Sequence, residues 1–187
     1  MISVKNLSKS FGNKEVLKGV NLSFEEGKVY GVVGKNGAGK TTLFNCISGL
    51  DNFDGNVESH KHPIKDYLGY LQTESFLYSR ITGEEYLLLF CNARGVTISD
   101  INKSNVFNLP LNEYATNYST GMKKKLALLA VLLQKNDFFI LDEPFNGVDL
   151  ESNILITQII KKLKSVGKTI IISSHIFSTL EDVCDEI

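Results

Sequence analysis

Eight residues, GKNGAGKT at Gly34–Thr41, constrain this chain more than any other stretch. They follow the apolar run KVYGVVG and lead into KTTLFNCISGL, a helix-forming segment closed by Gly49. The order G-x-x-x-x-G-K-[ST], set between a strand and a helix, describes a backbone that wraps a phosphate. Glycines allow the tight wrap, N–H groups point inward, and the helix turns its positive end to the same place. Gly34, Asn36, Gly37, Ala38, Gly39 and Thr42 are therefore candidate cradle residues. Lys40 is placed to reach terminal phosphates, and the Thr41 hydroxyl to meet Mg²⁺. From average residue usage, such a match arises by chance in a chain of this length with a probability on the order of 1%.

A phosphate loop of this kind needs a sheet to carry it, and the flanking segments supply one. ISVKNLSKSF and VNLSFEEG read as strands with turn residues around them, and DGNVESH and DYLGYLQ as further strands. From Thr73 the texture changes. TGEEYLLLFCNARG opens on Thr82, carries Glu85 three residues later in a capping-box pattern, and stops at Gly95. Residues 73–117 are thus expected to form a small, partly helical insertion. A helix starting in YSTGMKKKLALLAVLLQK, a strand in DFFILDEP, a helix near 151–165 and a strand in KTIIISSH complete the series. Strands alternating with helices predict an α/β fold whose mostly parallel sheet is covered on both faces.

The apolar strand FFIL delivers Asp142 at its carboxyl end, where ligands collect in open α/β sheets. Asp142 is expected to hold Mg²⁺ through water, and Glu143 beside it to polarise an attacking water. In YSTGM the small residues Ser119, Thr120 and Gly121 strip a helix start nearly to bare backbone. A plain N-cap explains Ser and Thr there, whereas an anion held on the helix dipole explains all three.

Net charge is −1, so no basic excess argues for a nucleic-acid partner. The three cysteines are scattered without metal-ligand spacing, which favours reduced, buried thiols and a cytosolic setting. No apolar run approaches 18 residues, and the N-terminus MISVKNLSKSF has no signal-peptide core.

The phosphate loop, the small-residue helix start, the acidic strand end and SSH at 173–175 follow one another in an order that resembles the nucleotide-binding domain of ABC ATPases. The resemblance covers nearly the whole chain, 1–187, as a single domain. It implies a P-loop NTPase core, an N-terminal antiparallel β subdomain and the helical insertion at 73–117. Only 12 residues follow His175, so the C-terminal part of the family's usual domain is expected to be absent. By the same resemblance Phe11 stacks on adenine, Gln72 meets Mg²⁺, and Asp149 in NGVDL is the acid of the D-loop. His175 matches the catalytic switch histidine, and Ser119, Thr120, Gly121 and Met122 match the signature that caps the γ-phosphate of a partner subunit. Thr120 stands where the signature has its first glycine and Met122 where it has glutamine. Similar YSxGM signatures look most like ABC-2-type exporters.

The resemblance implies ATP and Mg²⁺ as cofactors, hydrolysis at the interface of a homodimer or a pair with a similar subunit, and a transmembrane permease as partner. It also implies a cytoplasmic protein held peripherally at the inner face of the membrane through that permease. A non-transport ABC ATPase, a regulatory nucleotide-binding module and another P-loop enzyme are the alternatives. Alone, Phe11 is an ordinary edge-strand aromatic, His175 an ordinary structural histidine, and Lys123–Lys125 a solvated helix face.

Overall fold

The computed structural model describes residues 1–187. Two sheets and five helices share the chain. Strands β1 (Ile2–Phe11), β2 (Lys14–Phe24) and β4 (Asp54–Ser59) form an antiparallel sheet in the order β2-β1-β4. Strands β3 (Val29–Val33), β5 (Leu68–Leu71), β6 (Phe138–Leu141) and β7 (Thr169–Ser174) form a parallel sheet in the order β3-β7-β6-β5. Helices α1 (Lys40–Ser48), α2 (Gly83–Ala93), α3 (Thr120–Leu133), α4 (Leu150–Ser165) and the single turn α5 (Ser178–Glu181) complete the series. The antiparallel N-terminal sheet and the parallel sheet with its helices are those expected of a P-loop NTPase.

Every residue of β6 and β7 is buried, as a parallel strand covered on both faces requires. Alternate side chains serve two cores. Phe138, Ile140 and Ile171 pack with Phe44 and Ile47 of α1 and with Ile2, Val4 and Leu7 of β1. Phe139, Leu141, Ile170 and Ile172 pack with Leu126 and Leu129 of α3 and with Ile156 and Ile160 of α4. Residues 73–117 hold α2 and two short 3₁₀ turns, and α2 lies against α3. The capping box at its start is complete: Thr82 Oγ1 accepts from the Glu85 N–H, and Glu85 accepts from the Thr82 N–H.

Parallel register brings the carboxyl ends of four strands to one edge. Val33 lies opposite Ser174, Leu141 opposite Ile172, and Leu71 opposite Leu141. The loops that leave these ends therefore converge. No helix is long and apolar enough to cross a membrane.

Candidate functional site

The loop after β3 lines a cavity of about 350 Å³ with Asn36, Gly37, Ala38, Gly39, Lys40, Thr41 and Thr42. Gly37 and Gly39 adopt φ of 81° and 98°, backbone that only glycine enters freely. Gly39 is the N-cap of α1 and offers no side-chain cap, and the first turn carries no acid. The helix therefore opens on the cavity with bare N–H groups and a positive dipole end. Lys40 Nζ donates to the Gly34 carbonyl at 2.6 Å, which folds the lysine over its own loop. Phe11, 51% exposed at the end of β1, joins Lys14 and Val16 in lining the same cavity.

Asp142 and Glu143 follow β6 directly into this space, and both are buried. Three hydroxyls hold Asp142. Thr41 and Thr73 each donate to Oδ2 at 2.6 Å, and Ser173 of β7 donates to Oδ1. The same Ser173 Oγ accepts the Glu143 N–H at 2.9 Å. Glu143 itself sits at φ 50°, in left-handed space that costs a non-glycine residue about 1–3 kcal/mol. That turn aims its carboxylate into the site. Oε1 stands 3.3 Å from Lys40 Nζ and Oε2 3.0 Å from His175 Nδ1. Oε1 is nonetheless buried without a hydrogen-bond partner. Its polar neighbour is the Lys40 ammonium, an ion pair rather than a hydrogen bond.

Gln72 departs from expectation. It does not line the cavity; it lines a cleft with Tyr70, Phe90 and Val131 at the edge strand β5. Side chains of an extended chain alternate, so Tyr70 and Gln72 share one side and Thr73 turns to the other. The hydroxyl that reaches Asp142 from this segment is that of Thr73, two residues beyond β5. The oxygens of Thr41, Thr73 and Asp142 form a hard-donor cluster of the kind a small divalent cation takes.

The lysine run is a second correction. Successive helix residues point about 100° apart, so three lysines in a row face three ways. Lys124 is buried, and its Nζ donates to the carbonyls of Gln72 at 3.4 Å, Thr73 at 3.0 Å and Asp142 at 3.2 Å. Burial lowers its pKa, and the carboxylates of Asp142 and Glu143 work against that shift. Lys125 reaches Asp149 Oδ2 and Ser152 Oγ, both at 3.2 Å. Neither belongs to a solvated face. α3 is apolar nearly all round beyond this point, Leu126–Val131 all being buried.

Ser119 is the N-cap of α3, and its Oγ accepts the Met122 N–H at 3.2 Å. Buried Tyr118 anchors the approach through a 2.7 Å hydrogen bond to the Pro110 carbonyl. Ser119 and Thr120 are exposed and lie outside the phosphate cavity. Gly121 has a role within the chain: a Cβ there would stand 2.8 Å from the Gly147 carbonyl. Asp149 caps α4 by accepting from the Ser152 N–H at 2.8 Å. That bond and Lys125 hold its carboxyl well below the usual carboxylate range.

An uncapped helix start, a lysine beside it, clustered hard oxygens and an orphaned buried carboxylate oxygen fit a magnesium-bound nucleoside triphosphate. Comparison with known proteins agrees. Residues 17–146 match the sequence profile of the family described as ABC transporter. The chain is 33% identical over 202 residues to the linearmycin resistance ATP-binding protein LnrL of Bacillus subtilis (strain 168), over 100% of this chain and 65% of that one. It is 34% identical over 196 residues to the lantibiotic transport ATP-binding protein SrtF of Streptococcus pyogenes, over 99% of this chain and 84% of that one. A solved structure described as the ATP binding subunit of an ABC transporter superposes with a TM-score of 0.86 at 27% identity, over 99% of this chain and 83% of the other. The chain thus spans just under two thirds of LnrL and most of SrtF.

Proposed function

The chain belongs to the ABC transporter family as one of its ATP-binding ATPase domains, and we propose that it hydrolyses MgATP to drive a separate membrane-spanning permease. The observation that carries the chemistry is the setting of Glu143, held between Lys40 and His175 with one buried oxygen unsatisfied.

In this reading the Gly34–Thr42 backbone and Lys40 bind the triphosphate, and Phe11 stacks on adenine. Thr41, Thr73 and Asp142 are the residues that would hold Mg²⁺. When bound, Mg²⁺ would supply positive charge against the charge that develops on the phosphates. Glu143 accepts a hydrogen bond from the attacking water on Oε1, while His175 fixes the carboxylate through Oε2. Ser173 holds both acids by one hydroxyl, so their spacing does not drift as the site fills.

Ser119, Thr120 and Gly121 serve a second site. Ser119 and Thr120 are exposed outside the cavity with half-buried Gly121 beside them, which suits a γ-phosphate carried by another copy or a similar subunit. The cleft beside Gln72 carries exposed Phe76 and Tyr78 at its rim, which suits a permease. Relatives named for lantibiotic transport and linearmycin resistance favour an exporter, with this subunit at the inner membrane face.

Glu143→Gln tests the reading. It keeps shape and loses the base, so ATP binding should persist while turnover falls about 10²–10⁴-fold, as for a positioned general base. Steady-state phosphate release and nucleotide binding by the purified variant measure the two. Turnover within a few-fold of wild type removes Glu143 from the role.

A further inference from the structure

The charge least explained by nucleotide binding is Lys124. Lys124 is 7% exposed, its Nζ meets carbonyls and forms no ion pair, and it does not line the phosphate cavity. A buried ammonium is costly unless all its donors are satisfied. Here the three donors of Nζ meet three main-chain carbonyls, from Gln72, Thr73 and Asp142. None of the N–H groups in loops and caps donates to any of the three. The bonds cross two strand ends: Gln72 and Thr73 leave β5, and Asp142 leaves β6. The lysine itself lies one turn beyond Thr120, on the helix whose start carries Ser119 and Gly121.

We propose that Lys124 is a positioning residue of the ATPase site, tying the start of α3 to the peptide that joins Asp142 to Glu143 and to the loop that presents the Thr73 hydroxyl. The inference rests on the proposed ATPase function. Asp142 O belongs to the peptide unit whose N–H, on Glu143, is held by Ser173. That unit is gripped from α3 at one end and from β7 at the other. Glu143 keeps its left-handed turn because both grips hold. A displacement of the α3 start, where a partner's phosphate would dock, is carried by Lys124 to the acids and to Thr73 in one step.

Lys124→Met fills the same volume without donors; Lys124→Gln restores two of them. Amide hydrogen exchange without nucleotide reads the tie apart from catalysis. Residues 73–75 and 143–147 should exchange roughly tenfold faster in Lys124→Met, while β1 and α2 stay protected. Lys124→Gln should fall between it and wild type. Lys125→Met, whose lysine reaches Asp149 instead, should leave 73–75 unchanged. In hydrolysis assays Lys124→Met should lose roughly ten- to a hundredfold in kcat, the span of hydrogen bonds to a charged donor. KM for ATP should stay within about twofold, which separates positioning from binding.

Unchanged exchange at both segments overturns the proposal. So does faster exchange spread evenly over the whole chain, or a loss of kcat matched by a rise in KM, since each is the mark of a general packing role. If the wild-type chain hydrolyses no ATP, the function reading fails. The exchange comparison then still decides whether Lys124 ties the three segments.

Discussion

Helices α1 and α3 both start on small residues, and they treat their first N–H groups differently. α1 begins after Gly39, which has no side chain to offer, and its first turn faces a cavity that also holds Lys40, Asp142 and Glu143. α3 begins after Ser119, whose hydroxyl takes the Met122 N–H, and its first residues face outward. The first helix start faces a lysine and two carboxylates of its own chain. The second is half-satisfied: one donor is capped by Ser119, and Thr120 borders a separate pocket with Glu74, Lys123 and Lys124. The difference teaches where a ligand must come from. On the proposed function, an anion on α1 is held by this chain, whereas an anion on α3 arrives on a partner subunit.

The hardest blow to that contrast is Gly121→Asp combined with Glu143→Gln. If α3 receives a partner's phosphate, slowed hydrolysis should trap an ATP-bound dimer that the added carboxylate abolishes by like-charge repulsion. Size-exclusion chromatography with ATP shows the loss. The structure adds a control that charge alone would not suggest. Any Cβ at Gly121 meets the Gly147 carbonyl at 2.8 Å, so Gly121→Ala already moves the loop leading to Asp149. Gly121→Ala should therefore weaken the dimer and Gly121→Asp eliminate it. Equal dimerisation of all three proteins would leave α3 with a plain N-cap and nothing more.

The α1 side of the contrast was the easier to read in sequence. Its eight residues are contiguous, and glycine spacing states the backbone geometry directly. Strand FFIL likewise fixed the address of Asp142, because an all-apolar run must be buried on both faces and end at the ligand edge. What could not be read is whatever depends on rotation about an element. Gln72 and Thr73 are adjacent, and only the register of β5 decides which of them meets Asp142. The lysine run has the same character. Three lysines say "surface" until it is seen that α3 is enclosed, and the phase of the helix then sends Lys124 inward and Lys125 to Asp149. The contact between Gly121 and Gly147 joins residues 26 apart and has no local signal at all.

A smaller effect, confined to one chain, sharpens the α1 side. Lys40→Ala removes the cation beside the uncapped helix start, and ATP affinity should fall roughly ten- to a hundredfold, the range for a hydrogen bond to a charged group. Thr41→Val should weaken binding only when Mg²⁺ is present, because its hydroxyl belongs with Asp142 and not with the phosphates. Nucleotide titrations with and without the metal check both. Equal loss in the two conditions at Thr41 would move that hydroxyl out of the metal cluster.

The smallest effect probes the cap itself. Ser119→Ala deletes the oxygen that accepts the Met122 N–H, and such a change costs about 1 kcal/mol of stability. Ser119→Gly should cost only a few tenths, since glycine leaves the same N–H groups open to water. Neither variant touches the phosphate cavity, which Ser119 does not line, so monomer affinity for ATP should equal wild type. Chemical denaturation measures the first quantity and nucleotide titration the second. The pair matters because the two roles of Ser119 separate here. A cap-only serine makes the alanine variant worse than the glycine variant in stability and alike in ATP-driven dimerisation. A serine that also meets a partner's phosphate makes both variants lose dimer to a similar degree, whatever their stability, because both lack the hydroxyl. Loss of ATP binding by the isolated monomer of either variant would break the comparison itself, since it would put the α3 start in the same site as the α1 start.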